Sequence, residues 1–167
     1  MRYITTSIYN RYLQAREQVR QRAISNGEFE YARKVAECSV FRGNEGIKDL
    51  VAVAFTPQGS EFVTRHGFPS LDDFRKMDSI QMRNYGVYID RGTIELTNEE
   101  QVLVVGNTKA TINCDTIGRY KVIVMHGAKA TINASNYAVV KVDADNTAEI
   151  TTNITNHAKI IGYEPKK

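Results

Sequence analysis

Lys109-Ala110-Thr111-Ile112-Asn113-Cys114-Asp115 and Lys129-Ala130-Thr131-Ile132-Asn133-Ala134-Ser135 write one phrase twice, twenty positions apart. The alternation they carry runs from Gln101 to Ile161. Even positions are apolar or small: Val102 and Val104, Ala110, Ile112 and Cys114, Tyr120, Val122 and Val124, then Ala130, Ile132 and Ala134. The series continues through Ala138, Val140, Val142, Ala144, Ala148, Ile150, Thr152, Ile154, Ala158 and Ile160. Residues two apart point to one side of a strand, so these side chains share one interior. Gly106-Asn107, Gly127, Asn136, Asn146 and Asn156 fall between the segments and tolerate the positive φ of tight corners. Strand and corner in regular alternation predict a β-solenoid.

Two registers fit. Matching apolar residues steps by 20 from Val102 to Val122, then by 18 from Val122 to Val140 and from Ala130 to Ala148, which places a two-residue deletion after Ser135. The rival keeps 20 throughout and stacks Thr111, Thr131 and Thr151 beside Asn113, Asn133 and Asn153. Both keep the same residues inside. Single rungs hold too little core to stand alone, so stability accrues by stacking, and about four rungs are available, two strands to a rung.

Before the coil the apolar period is that of a helix, and it switches near Asn84. Ile8, Tyr12, Ala15, Val19 and Ala23 form a stripe on a helix over roughly residues 6–24, stopped by Asn26-Gly27. A shorter helix carries Phe29, Ala32 and Ala36, and a third carries Ile47, Leu50, Val51 and Ala54, closed by Pro57 and Gly59. Ser70 and Asp73 resemble a capping box opening a last helix with Leu71 and Phe74. The fold expected is α+β: a helical domain over 1–84, a single-chain β-solenoid (β-helix) over 85–163 and a tail, 164–167.

The chain has 167 residues, 42% of them hydrophobic, enough for a buried core. Its 22 basic and 19 acidic side chains give a net charge of +3, too small to argue for nucleic acid or an anionic membrane. No signal-peptide core opens it and no run approaches the about 18 apolar residues of a membrane span, so the place expected is the cytoplasm of a host cell or a virion. Cys38 and Cys114 stand apart, without a histidine or cysteine at ligand spacing, and free thiols are expected. No metal or cofactor is expected.

The outer faces of the coil differ. Lys109, Thr111, Asn113, Lys129, Thr131 and Asn133 make one face wet, and their lysines interrupt what would otherwise resemble the ladder of an ice-binding solenoid. Leu103, Val105, Ile123, Met125, Val139 and Ile161 make the other apolar. Strands apolar on both sides are covered on both sides. Either the helical domain folds over this face or a second copy or protein partner docks there, and these six residues are the candidate interface.

Arg11, Arg16, Arg20 and Arg22 on the first helix are the candidate nucleic-acid contacts, although arginine is also a good helix former on any solvated face. The coil's carboxylates, Asp115, Asp143, Asp145 and Glu149, with Arg119, His126 and His157, show no convergent acid pair, and Asp143 and Asp145 flank a corner that favours Asp for its geometry. A non-enzymatic protein is therefore expected.

Gly67-Phe68-Pro69-Ser70, the stretch Tyr85-Gly86-Val87-Tyr88-Ile89-Asp90, and Val102–Gly106 followed by the Ala-rich coil together resemble a family of uncharacterised bacterial and prophage-encoded proteins, over roughly residues 47–163. The resemblance implies a short helical region before a small β-helix, a phage or mobile-element setting, and no catalytic residues. The function expected is an interaction or structural protein that self-associates or docks on a protein through the apolar face. The alternatives are a phage-encoded inhibitor or small-molecule-sequestering protein, and nucleic-acid binding through the first helix.

Overall fold

A computed structural model of the chain describes residues 2–39 and 41–163. The expected tail, 164–167, lies outside the described residues. The described chain forms two compact units that divide between Pro69 and Ser70.

The first unit holds α1 (Arg2–Ser25), α2 (Phe29–Glu37), α3 (Ile47–Ala54) and α4 (Pro57–His66). The stripe of α1 is buried at Ile8, Tyr12, Val19 and Ala23, and Gly27 follows its end with a φ of 78°. Tyr12 is the hub: the rings of Phe41, Phe62 and Phe68 lie 4.8, 5.4 and 6.1 Å from its own, the first two edge-on. Offset and edge contacts of this kind add to what area burial supplies. In α2 the buried residues are Ala32 and Val35, whereas Phe29 and Ala36, expected on the inner stripe, are exposed. Pro57 does not close α3. It opens α4 at a first-turn position where its missing N–H costs nothing, behind Thr56, whose Oγ1 accepts from the amide of Gly59 at 3.0 Å.

The second unit opens with α5 (Leu71–Arg75) and α6 (Ser79–Asn84). Ser70 and Asp73 complete the expected capping box, and Asp78 caps α6 by accepting from the amides of Ile80 and Gln81. The expected helical stretch thus does end at Asn84, but its last two helices group with the coil because their apolar side chains pack there. Phe74 and Met82 are buried, the Phe74 ring meets His126 edge-on at 5.9 Å, and Arg75 Nε donates to Asp90 Oδ2 at 2.7 Å.

Strands then alternate between two parallel sheets: β1 (Val87–Ile89), β3 (Gln101–Val105), β5 (Gly118–Met125), β7 (Ala138–Ala144) and β9 (Lys159–Ile161) in one, β2 (Gly92–Thr97), β4 (Thr108–Cys114), β6 (Lys129–Ala134) and β8 (Glu149–Ile154) in the other. This is a β-solenoid of about four turns, two strands to each. Even-numbered side chains form the dry column, with Val102, Val104, Ile112, Cys114, Val122, Val124, Ile132, Val140 and Val142 wholly buried.

The register is the uniform one. Ala110, Ala130 and Ile150 stack, as do Val122 and Val142, so the two-residue deletion does not exist. The physical reason lies outside the core. Val122 meets a valine in either register, but the outer asparagines form a ladder in only one: Asn133 Nδ2 donates to Asn113 Oδ1, and Asn153 Nδ2 to Asn133 Oδ1, both at 2.8 Å. Asn113 Nδ2 in turn donates to Glu95 Oε1 at 2.9 Å. Cutting this chain of amides at its middle with Asn133→Ala is expected to cost about 1 kcal/mol of stability in urea denaturation, the net worth of a pair of partly exposed hydrogen bonds. The first turn is shorter, a step of 16, which pairs Val87 with Leu103 and Gly92 with Thr108.

Candidate functional site: the outer faces and the open end of the coil

The six candidate interface residues lie on one outer face of the five-stranded sheet but differ in exposure. Leu103 stacks on Ile123 and Val105 on Met125, in neighbouring columns, and these four are only 3%, 1%, 0% and 0% exposed. They are closed off within the chain. From their own unit, α5 and α6 supply cover: besides the Phe74–His126 contact, Leu71 lies so close to Gly106 that an added Cβ would meet it at 2.9 Å. Val139 and Ile161 belong to other columns, between Arg119 and Lys159 and next to Lys141. Val139 is half-buried, and Ile161 is 50% exposed on a basic stripe.

Of the four α1 arginines, Arg16 and Arg20 are engaged within the first unit. Arg16 donates to the Cys38 carbonyl at 2.8 Å and lies 5.7 Å above the Tyr12 ring. Arg20 clasps Glu17 with two hydrogen bonds of 2.9 and 3.0 Å, and these, helped by Gln21, hold the Glu17 carboxyl down to about 2. Arg22 is exposed.

The four candidate carboxylates of the coil are engaged in corners or ion pairs. Asp145 is buried and accepts from the amides of His126, Thr147 and Ala148 and from the Thr147 hydroxyl, at 2.7–3.1 Å. Asp115 accepts from Asn98 Nδ2, Asp143 faces Lys141 at 3.2 Å, and Glu149 faces Lys129 at 2.8 Å. Cys114 is in the column, where burial pushes its thiol up to about 11, while Cys38 is half-buried; both are free thiols. Among the described residues no three His, Cys, Asp or Glu side chains gather as a metal site, and no helix is long and apolar enough to cross a membrane.

The two ends of the coil differ most. At the first, all three residues of β1 are buried and α6 packs on that strand. At the other, β8 and β9 are the last strands of their sheets among the described residues. Ile154 stands in the inner column of Cys114 and Ala134, which are 0% and 2% exposed, yet it is itself 51% exposed. Ile150 and Ile160 are half-buried beside it. An edge of backbone donors and acceptors next to an unfinished apolar column is a template for another strand. The alternation shows Ile154 and Ile160 as core residues, so the pattern alone conceals that Ile154 is half exposed among the described residues, while Tyr163 packs against the same end of the core with its hydroxyl donating to the Ile150 carbonyl at 3.5 Å.

One corner carries a further exposed column, Ile117, then Tyr137 and His157, whose rings stack at 5.0 Å and 16°. In the helical unit, Tyr31, Lys34, Cys38, Gln58, Glu61 and Phe62 line a cleft of about 660 Å³. At its side the Tyr31 hydroxyl lies 3.2 Å from His66 Nε2, and Arg65 covers the Tyr31 ring at 4.5 Å. Burial, and then the charge of Arg65, lower the His66 pKa.

Comparison of the sequence and of the fold with known proteins found no family model, no curated protein and no solved structure that matches this chain.

Proposed function

We propose that the chain is a non-enzymatic interaction protein whose docking surface is the open end of the coil, working in the phage or mobile-element setting that the resemblance implies. Ile154 is the observation that carries it: a side chain with the address of a core residue and half its surface in water. Completing its column hides apolar surface at about 25 cal/mol per Å², and an added strand also satisfies the backbone groups of β8. The surface therefore suits a strand rather than a helix or a small molecule.

A peptide with the sequence of residues 149–161 tests this. Fluorescence anisotropy with the labelled peptide is expected to give saturable binding to the chain, and Ile154→Asp, at an exposed position that leaves the fold intact, abolishes it. No binding by the intact chain at high micromolar concentration counts against the reading.

The cleft in the helical unit favours a second reading, a small-molecule-sequestering protein. A thermal-shift panel of nucleotides and sugars separates the two, since a ligand at 100 times its dissociation constant adds about 2.7 kcal/mol of stability.

A further inference from the structure

We propose that one corner of the coil, with the basic row of the sheet beside it, binds a single strand of nucleic acid. The site involves neither the edge of β8 nor the arginines of α1, so it stands apart from the docking reading. Among the described residues three consecutive pairs in the coil have both φ angles positive: His126-Gly127, Asn136-Tyr137 and Asn156-His157. Glycine is favoured as the second residue of such a corner, because a Cβ makes that conformation costly. Gly127 follows the preference at a φ of 80°, whereas Tyr137 and His157 hold the same place at 64° and 63°.

The fold does not account for these two rings. The first residue of each corner does the structural work: Asn156 Nδ2 donates to Asn136 Oδ1 at 3.3 Å, and Asn136 Nδ2 to the Asp115 carbonyl at 2.9 Å. Tyr137 and His157 are exposed, and among the described residues neither side chain has a hydrogen bond or an ion pair. Each ring stacks on the other, 5.0 Å away and 16° from parallel. Strained residues that packing does not require are the mark of a working surface. His157 belongs to the last rung among the described residues, so the column of rings ends on it, and a planar base continues that column whatever its identity.

Charge supplies the other half of the site. Two residues beyond the corner, Arg119 and Lys159 flank the half-buried Val139 in one row across the sheet. Both are exposed, and among the described residues neither forms an ion pair. The row lies about 6.6 Å along the strands from the rings, close to the span from a nucleobase to its own phosphate. The strands β5, β7 and β9 carry four basic residues and one acid, Asp143, which faces Lys141 at 3.2 Å. The acid of the corner itself, Asp115, accepts from Asn98 Nδ2. Aromatic faces beside cations are the two elements by which a single strand is held. A convex corner cannot enclose a free nucleotide, so affinity needs a ligand that repeats base and phosphate along its length. A duplex keeps its bases stacked inside and offers the rings no face.

Fluorescence anisotropy of a labelled oligothymidylate with the full chain tests the proposal. Saturable binding at micromolar concentration is expected, weaker for a duplex of equal length. Two phosphate contacts predict that affinity falls about sevenfold between about 50 and 200 mM salt. Tyr137→Gly and His157→Gly suit the backbone of their corners, so the far-UV circular dichroism spectrum is expected to stay unchanged while each weakens binding about tenfold or more. Arg119→Ala and Lys159→Ala are each expected to remove about half of the salt dependence, which damage to the fold alone would not do. Absence of binding at low salt and high micromolar concentration overturns the inference, as does a duplex bound equally well. Glycine variants that bind like the parent remove the rings from the site and overturn it too. So does a heparin fragment, an anion without bases, that displaces the strand as well as unlabelled oligothymidylate does.

Discussion

Replacing Ile132 by alanine is expected to lower the unfolding free energy by about 2–5 kcal/mol, the usual cost of emptying a fully buried aliphatic site. Ile132 is completely buried in a column between Ile112 above and Thr152 below, on a strand whose inner face otherwise consists of alanines at 130 and 134. No larger neighbour in β6 can move into the space, so relaxation is small and the high end of the range is favoured. Urea denaturation followed by far-UV circular dichroism measures it. Ile154→Ala removes the same atoms from the same sheet but is expected to cost less than about 1 kcal/mol, since half of that side chain is already solvated. Equal costs at the two positions would mean that the column does not end where the structure ends it.

Gly59→Ala is expected to destabilise the helical unit by about 1–3 kcal/mol, although the same change in a helix ordinarily gains up to about 1 kcal/mol. Gly59 lies in the first turn of α4, where its amide meets the Thr56 cap, and a Cβ there would fall 1.8 Å from the Val53 carbonyl oxygen. That oxygen is backbone and accepts from the Thr56 hydroxyl at 2.7 Å, so it cannot swing away without loosening the junction between α3 and α4. Thermal unfolding of the full chain reads the effect. A stabilised Gly59→Ala protein would show that α3 and α4 are set further apart than this contact requires.

The alternation over Gln101–Ile161 sufficed for the architecture, because the phrase Lys-Ala-Thr-Ile-Asn returns twenty positions on, two strands and two corners later, as parallel stacking of rungs requires. Register was another matter. Inside the column Val122 accepts Val140 or Val142 as neighbour with little difference in energy, so matching apolar residues misled. The asparagines at 113, 133 and 153 discriminate, since amide ladders close only at a step of 20. The both-sided apolar runs of β3 and β5 do announce a cover, but its source was hidden. The helices α5 and α6 have five and six residues, too few to write a stripe, and it is single residues, Leu71, Phe74 and Met82, that do the packing. Nor does the pattern flag the open end, because Ile154 differs from Ile132 in what lies beyond it rather than in its own neighbourhood of sequence.

The uniform step of 20 after the first, shorter turn makes the coil extensible. Tandem copying of residues 109–128, from one lysine of the repeated phrase to the residue before the next, would insert a complete extra layer, continue the asparagine and threonine ladders without a break, and move the two ends apart by about 4.8 Å. Neither end would change in composition. Length in this molecule is thus a quantity that gene duplication can adjust in whole increments, independently of the residues that form its two ends.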